Sequence, residues 1–210
     1  MSRDEPLDPQ PLPRAARAAL YRLFADLLTH EVDRPRLAAL REVGAVLERA
    51  APELCPWLEK ADDRALLALR VEFARLFLTP KGVPPQASAW LGDDAAGSAD
   101  GVARLTHRTM AALELEQTRH AGSLPLDHLG LLYAVASDAL TSPVPERRAL
   151  GEHIEQETLG PWVCAFARSL GRSREPLYRA LGQAMCELHC DDGGTTAPPL
   201  PDVQTGSHRG

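Results

Sequence analysis

Apolar residues recur along most of this chain at three- and four-residue steps, the spacing that lines one side of a helix. Ala16, Leu20, Leu23 and Leu27 form a first stripe after Pro13, widened by Phe24 and Leu28. A second starts near Pro35 with Leu37, Leu40, Val43 and Leu47, and Arg36, Arg41, Glu42, Glu48 and Arg49 on its other side. The run from Pro52 to Leu58 reads as a short helical turn. Asp62 or Asp63, either a good cap, opens the next helix, with Leu66, Leu69, Phe73 and Leu76 on one face. Thr79-Pro80 stops it, because a residue before proline is pushed out of the α region. Val102 to His120 reads as a long helix with Val102, Leu105, Met110 and Leu113 apolar, ended by Gly122-Ser123. Pro125 suits the first position of a helix carrying Leu129, Leu132, Tyr133, Ala136 and Leu140, which Ser142-Pro143 closes. Residues 145–158 are polar and helical in pattern. Gly160-Pro161 and Glu175-Pro176 start two more helices, bearing Trp162, Phe166 and Leu170, then Leu177, Leu181, Met185 and Leu188. No stretch alternates with period two long enough to be a strand. The expected fold is all-α, a single helical bundle of roughly eight to ten helices.

One connection breaks the pattern. From about 79 to 100 the chain has no period of its own. It holds Pro80, Gly82, Pro84 and Pro85, then the exposed-looking apolar pair Trp90 and Leu91. So long a connection inside a domain is more often functional or disordered than neutral filler. It reads as the border of a groove that accepts a peptide. The alternative is an ordinary surface loop whose Trp90 folds back on the core. Residues 1–12 are polar and proline-rich, a loose N-terminus. Residues 13–190 form the helical domain, and the Gly-, Thr-, Pro- and Ser-rich run 191–210 is expected to be a disordered tail.

Composition narrows the partners. The 210 residues carry a net charge of −6 and are 44% hydrophobic. The only lysines are Lys60 and Lys81, and the arginines are dispersed among acids. Nucleic acid is thereby disfavoured, since phosphate contacts need clustered cations. A cationic partner would be attracted. No apolar run spans a membrane and the N-terminus does not read as a signal peptide, so a cytoplasmic protein without stable membrane insertion is expected. Cys55, Cys164, Cys186 and Cys190 do not make a disulfide framework in a chain of this length, and buried free thiols are expected.

Candidate chemistry is sparse. Asp127 and His128 are the most suggestive titratable pair, with Asp127 expected in a helical first turn where it would cap backbone N–H groups. Adjacent helical residues do not face each other, which makes them a poor catalytic dyad. Cys186, His189 and Cys190 share a helical face and could converge on a metal, but no second Cys/His cluster completes a site. Phosphate-cradling glycine motifs and a GxSxG elbow are absent. Three readings remain: a helical binding protein with a groove near residues 80–91, a small enzyme using Asp127 and His128, and a metal-binding protein.

Four segments in order carry a resemblance. Glu72-Phe73-Ala74-Arg75-Leu76-Phe77 precedes Pro80 and Pro84-Pro85-Gln86-Ala87-Ser88-Ala89-Trp90-Leu91. Pro125-Leu126-Asp127-His128 resembles a Pro-(x)-Asp-His hinge. Leu159-Gly160-Pro161-Trp162 is similar to a Pro-Trp helix start, and Pro176-Leu177-Tyr178-Arg179-Ala180-Leu181-Gly182 to a last helix. Together, over roughly residues 15–190, they resemble the TorD/DmsD family of redox-enzyme maturation chaperones, to which NarJ is related. The resemblance implies a non-enzymatic, all-helical cytoplasmic chaperone without catalytic residues, metal or cofactor. Its partners would be the twin-arginine signal peptide and the apo-form of a molybdenum-cofactor oxidoreductase catalytic subunit. The chaperone would assist cofactor insertion, assembly and proofreading before Tat export. A non-exported, nitrate reductase-like client is the alternative. Relatives of this kind bind the leader partly through residues matched here by Phe73, Leu76, Phe77, Pro85, Asp127 and His128. Trp90 is added on chemical grounds, as an aromatic anchor for the leader's apolar stretch. A monomer or a domain-swapped homo-oligomer is expected. Gln86, Leu126 and Thr158 depart from the family pattern, and Leu126 removes a negative charge usually found beside the Asp-His pair.

Overall fold

The computed structural model describes residues 12–48, 52, 54–91, 98–115 and 124–190. The expected loose N-terminus up to residue 11, part of the 79–100 loop, the end of the long helix at 116–120 and the tail lie outside the described residues, as do the side chains of Val43 and Leu47. Within them are nine α-helices and no strand. In order they are α1 (Arg14–Thr29), α2 (Arg34–Glu48), α3 (Leu54–Lys60), α4 (Asp63–Phe77), α5 (Ala99–Ala112), α6 (Leu129–Thr141), α7 (Pro145–Glu157), α8 (Pro161–Leu170) and α9 (Pro176–His189). A 3₁₀ turn at Ala87–Ala89 lies between α4 and α5.

The helix starts follow local chemistry. Asp62 caps α4 by accepting from Ala65 N at 3.0 Å. Ser98 does the same for α5, accepting from Gly101 N at 3.3 Å. Helices α7, α8 and α9 each open on proline, which gives up only an N–H that would have no helical partner.

Helices α1 and α6 form the centre. Tyr133 lies 5.1 Å from Tyr21 and 5.4 Å from Phe24, ring centre to ring centre. Gly130 lets the two helices approach, since a Cβ there would collide with the Thr29 side chain. Ser137 Oγ donates to Ala18 O at 2.9 Å, across the same contact. Arg17 and Tyr21 both donate to the Glu155 carboxylate at 2.8 Å, tying α1 to α7. Helices α8 and α9 form a tight hairpin in which Gly182 sits against the backbone of Gly171 and Ala167.

Four expectations are corrected. The helix expected from Pro125 begins at Leu129, because residues 125–128 are engaged by another loop instead. The long helix begins at Ala99 and ends at Ala112, where Glu114 takes a left-handed φ of 59° and turns the chain. Cys164 and Cys190, expected as free thiols, form a disulfide with Cα atoms 5.7 Å apart. Only the packing of α8 against α9 brings these two together, which spacing in sequence does not reveal. Finally, Trp90 and Leu91 are half-buried and not exposed anchors, and Trp90 folds back on the core, as the alternative reading of this loop has it.

Candidate functional site

The long connection is held in place by its own polar atoms. Beyond α4 the chain doubles back, and Val83 N donates to Leu76 O at 2.6 Å. Gly82 makes that return passable, since a Cβ would strike the carbonyls of Leu76 and Arg75. The next residues then clip onto the turn before α6. Leu129 N donates to Pro85 O at 2.7 Å, and Ala87 N donates to Asp127 O at 3.0 Å. Gln86 and His128 pair as an isolated antiparallel bridge. The Asp127 carboxylate accepts from Ser88 N at 2.9 Å. Trp90 Nε1 donates to Pro84 O at 2.8 Å, and its ring meets Phe166 edge-on at 6.2 Å, fixing the loop to α8.

Asp127 therefore does not cap the helix; it holds the loop. His128 is the cap, with Nδ1 accepting from Gly130 N at 3.1 Å. That bond assigns the neutral tautomer protonated on Nε2. Burial pushes the His128 ring down to about 4, with the nearby Asp127 charge partly opposing it. A catalytic dyad gains no support from this arrangement, since each residue is spent on backbone.

The seven residues singled out in the sequence fall into two groups. Pro85, Trp90, Asp127 and His128 meet in the clip. Phe73, Leu76 and Phe77 lie on α4, with Phe73 and Leu76 buried and Phe77 half-buried. Phe77 is 5.1 Å from Phe73 and 5.8 Å from Tyr178 of α9, edge-on to both. These three support the fold around the site more than they line an open cleft.

The open space lies beside the clip. A groove of about 500 Å³ runs between α5 and the strand of chain leading into Asp127, lined by His107, Met110, Ala111, Leu115, Leu124, Pro125 and Leu126. A second hollow of about 450 Å³ continues it past Ala103, Arg104 and Arg108. The two share His107 and Leu126. Sequence reasoning missed the α5 side of this groove. His107 and Arg108 look like ordinary solvated positions until α5 is placed against residues 124–126.

Glu72, in the first of the four resembling segments, holds the end of α4 in place. It is buried, and its carboxylate takes two bonds from Arg75, at 2.6 and 2.7 Å, and one from Ser173 Oγ at 2.6 Å. The Arg75 guanidinium, helped by Ser173, holds it down at about 2 despite burial. The spacing of Glu72 and Arg75 was readable as a helical pair, but Ser173, 101 positions away, was not. Among the described residues no group of three or more His, Cys, Asp or Glu side chains is placed to hold a metal ion. None of their helices is long and apolar enough to cross a membrane.

Comparison with known proteins agrees with this architecture. A chaperone protein TorD from Shewanella loihica is 26% identical over 201 residues, covering 84% of this chain and 92% of its own. In fold, the chain matches the crystal structure of a protein assigned to redox enzyme maturation in Archaeoglobus fulgidus. The TM-score is 0.52 at 19% identity, covering 87% of this chain and 97% of that one. These relatives are named as maturation proteins and chaperones, not enzymes. The family described as "Nitrate reductase delta subunit" matches residues 40–168, and the chain belongs to that family, a redox-enzyme maturation chaperone of the TorD/NarJ type.

Proposed function

We propose that this chaperone binds the twin-arginine signal peptide of a molybdopterin oxidoreductase and holds the apo-enzyme while its cofactor is inserted, before Tat export. The observation that carries the reading is the apolar groove beside Asp127. A twin-arginine leader has cationic residues followed by an apolar stretch. Met110, Leu115, Leu124 and Leu126 offer an apolar bed to that stretch. Asp127 follows Leu126 of the groove lining and is itself buried, with one carboxylate oxygen on Ser88, so a guanidinium reaches its second acceptor oxygen when the clip gives way. Arg104 and Arg108, offset in part by Asp100, leave the far end of the groove less favourable to the leader's arginines, which favours a peptide with its cations toward Asp127.

Phe73, Leu76, Phe77, Pro85, Trp90 and His128 act in this scheme by holding the α4 end and the clip in shape. A second reading rests on the family match itself: the client is a nitrate reductase-like catalytic subunit that is not exported, and the segment bound is its N-terminus without a functional leader.

Titration calorimetry with an Arg-Arg leader peptide and its Lys-Lys counterpart tests both. The first reading expects tighter binding of the Arg-Arg form. It also expects Asp127→Asn to weaken that binding more at low salt than at high salt, since salt screens the charge pair. Phe77→Ala should weaken it only as far as a parallel thermal melt shows loss of fold. Equal affinity for both peptides at both ionic strengths would remove the ion pair, and tight binding of a leaderless N-terminal segment would favour the second reading.

A further inference from the structure

Five large apolar side chains are exposed among the described residues, and the three most exposed are Leu67 at 62% and Val71 at 62% on α4 and Leu78 at 68%, the residue that caps its C-terminus. At 3.6 residues per turn these three and half-buried Ala74 share an arc of roughly 60°. They face away from Leu66, Leu69, Phe73 and Leu76, which are buried on the same helix. The inner face alone anchors α4, so the outer stripe contributes nothing to the core. An isolated exposed leucine needs no explanation, but a row of them on one helix face marks a contact surface.

The edges of the row are basic. Arg70 borders one side, Arg64 and Arg75 the other, and Lys81 follows just beyond; all four are exposed. The acids of this helix are each engaged, although Asp63 stands exposed at the N-terminal end of the Arg70 edge. Asp62 caps Ala65, Asp63 pairs with Arg34, and Glu72 is buried against Ser173. Arg75 spends two of its donors on Glu72, and Arg70 stands 4.0 Å from Glu31. A guanidinium has five donors, so both retain hydrogen-bonding capacity toward solvent.

We propose that the outer face of α4 is a docking strip for an acidic amphipathic helix of a partner protein, separate from the groove beside Asp127. The charge pattern chooses this occupant. In a twofold pairing of the strip with itself, arginine meets arginine along both edges whether the helices run parallel or antiparallel, so a second copy is opposed. An anionic bilayer would meet the row's few cations but also the field of a chain with net charge −6. A helix carrying leucines between two lines of carboxylates satisfies both edges at contact distance. The strip is about 16 Å long, two to three turns, which suits a short helix and a transient complex.

The test uses the whole chain and two synthetic helical peptides with the same leucine stripe, one flanked by glutamates and one by lysines. Fluorescence anisotropy should show micromolar binding of the glutamate peptide and none of the lysine peptide. The double variant Leu67→Ser/Val71→Ser should bind it at least roughly tenfold more weakly with an unchanged melting temperature, because both sites are on the surface. Arg64→Gln/Arg70→Gln should weaken it several-fold and flatten its salt dependence. The proposal is overturned if the glutamate peptide fails to bind or binds no better than the lysine peptide. It is also overturned if the serine variant binds as well as the wild type. Two further outcomes would sink it: co-sedimentation with phosphatidylserine vesicles that the serine variant alone loses, or a wild-type dimer in light scattering that this variant makes monomeric.

Discussion

The α1–α6 contact and the clip between residues 84–91 and 125–130 are both joints between distant parts of the chain, but they are built from opposite materials. At the first, Tyr21, Phe24, Leu132, Tyr133 and Ala136 are buried, and few polar bonds cross. At the second, the chain is held by backbone N–H and C=O groups, one carboxylate and one indole N–H. Apolar packing is non-directional and scales with area, so the first joint is strong and tolerant of small shifts. Hydrogen bonds contribute little net energy but demand geometry, so the second is weaker and more specific. The frame keeps the bundle folded, and the clip fixes the loop next to the groove.

The largest expected effect breaks the strong side. Phe24→Ala should destabilise the protein by about 3–5 kcal/mol in urea titration followed by circular dichroism, because the ring leaves a cavity against Tyr133. A loss as small as that of a clip variant would erase the contrast.

Acid should reach the clip before it reaches the bond between Glu72 and Ser173. The His128 ring titrates at about 4 in the folded protein, below its ordinary 6.5, so the unfolded chain takes up the proton first. The stability held by neutral His128 is full above 6.5 and is lost as pH falls toward 4. The Glu72 carboxyl titrates at about 2, below its ordinary 4.5, so its contribution is full above 4.5 and is lost as pH falls toward 2. Each corresponds to roughly 3 kcal/mol. The clip should therefore loosen at a pH where the Glu72–Ser173 bond is still intact, which hydrogen exchange of Ser88 and Ala74 amides at pH 5 would register. His189, stacked on Tyr21 and Tyr133 and pushed down to about 4 by burial, weakens the α1–α6 frame over the same range as the clip.

A smaller change sharpens the clip itself. Asp127→Asn keeps the shape but replaces a charged acceptor, and should cost about 1–2 kcal/mol of global stability. Amide exchange at Ala87, Ser88 and Leu129 should quicken, while the α6 amides after Leu132 stay protected. Trp90→Phe removes only the bond to Pro84 and part of the contact with Phe166, for about 1 kcal/mol in the same melt. Uniform quickening across α6 in either variant would show that clip and frame open as one unit.

These differences explain what was legible in the sequence. The strong joint announces itself, because Phe24, Tyr133 and their neighbours recur with helical period and proline or Asp62 marks where helices begin. The clip does not. Its bond from Ser88 to Asp127 spans 39 positions, and nothing local to either residue encodes the other. Pro125 followed by Asp127 carries the usual signature of a helix start, and the signature misled because the chain there is bonding across to Pro85 and Ala87. The resemblance singled out Pro85, Asp127 and His128, chemistry added Trp90, and only the fold brings the four into one place. The resemblance could not show that they face inward, or that the accessible groove borrows its other wall from α5.

The pairing of the first helix with the sixth also governs the order in which the polypeptide can take shape as it leaves the ribosome. Helix α1 ends at Thr29 and its main neighbour is complete only at Thr141. At about 5–20 residues per second, the apolar side of α1 waits on the order of ten seconds for a partner. Until then it is itself a greasy amphipathic segment in need of cover, so this helper of unfinished proteins passes through the same predicament as its clients.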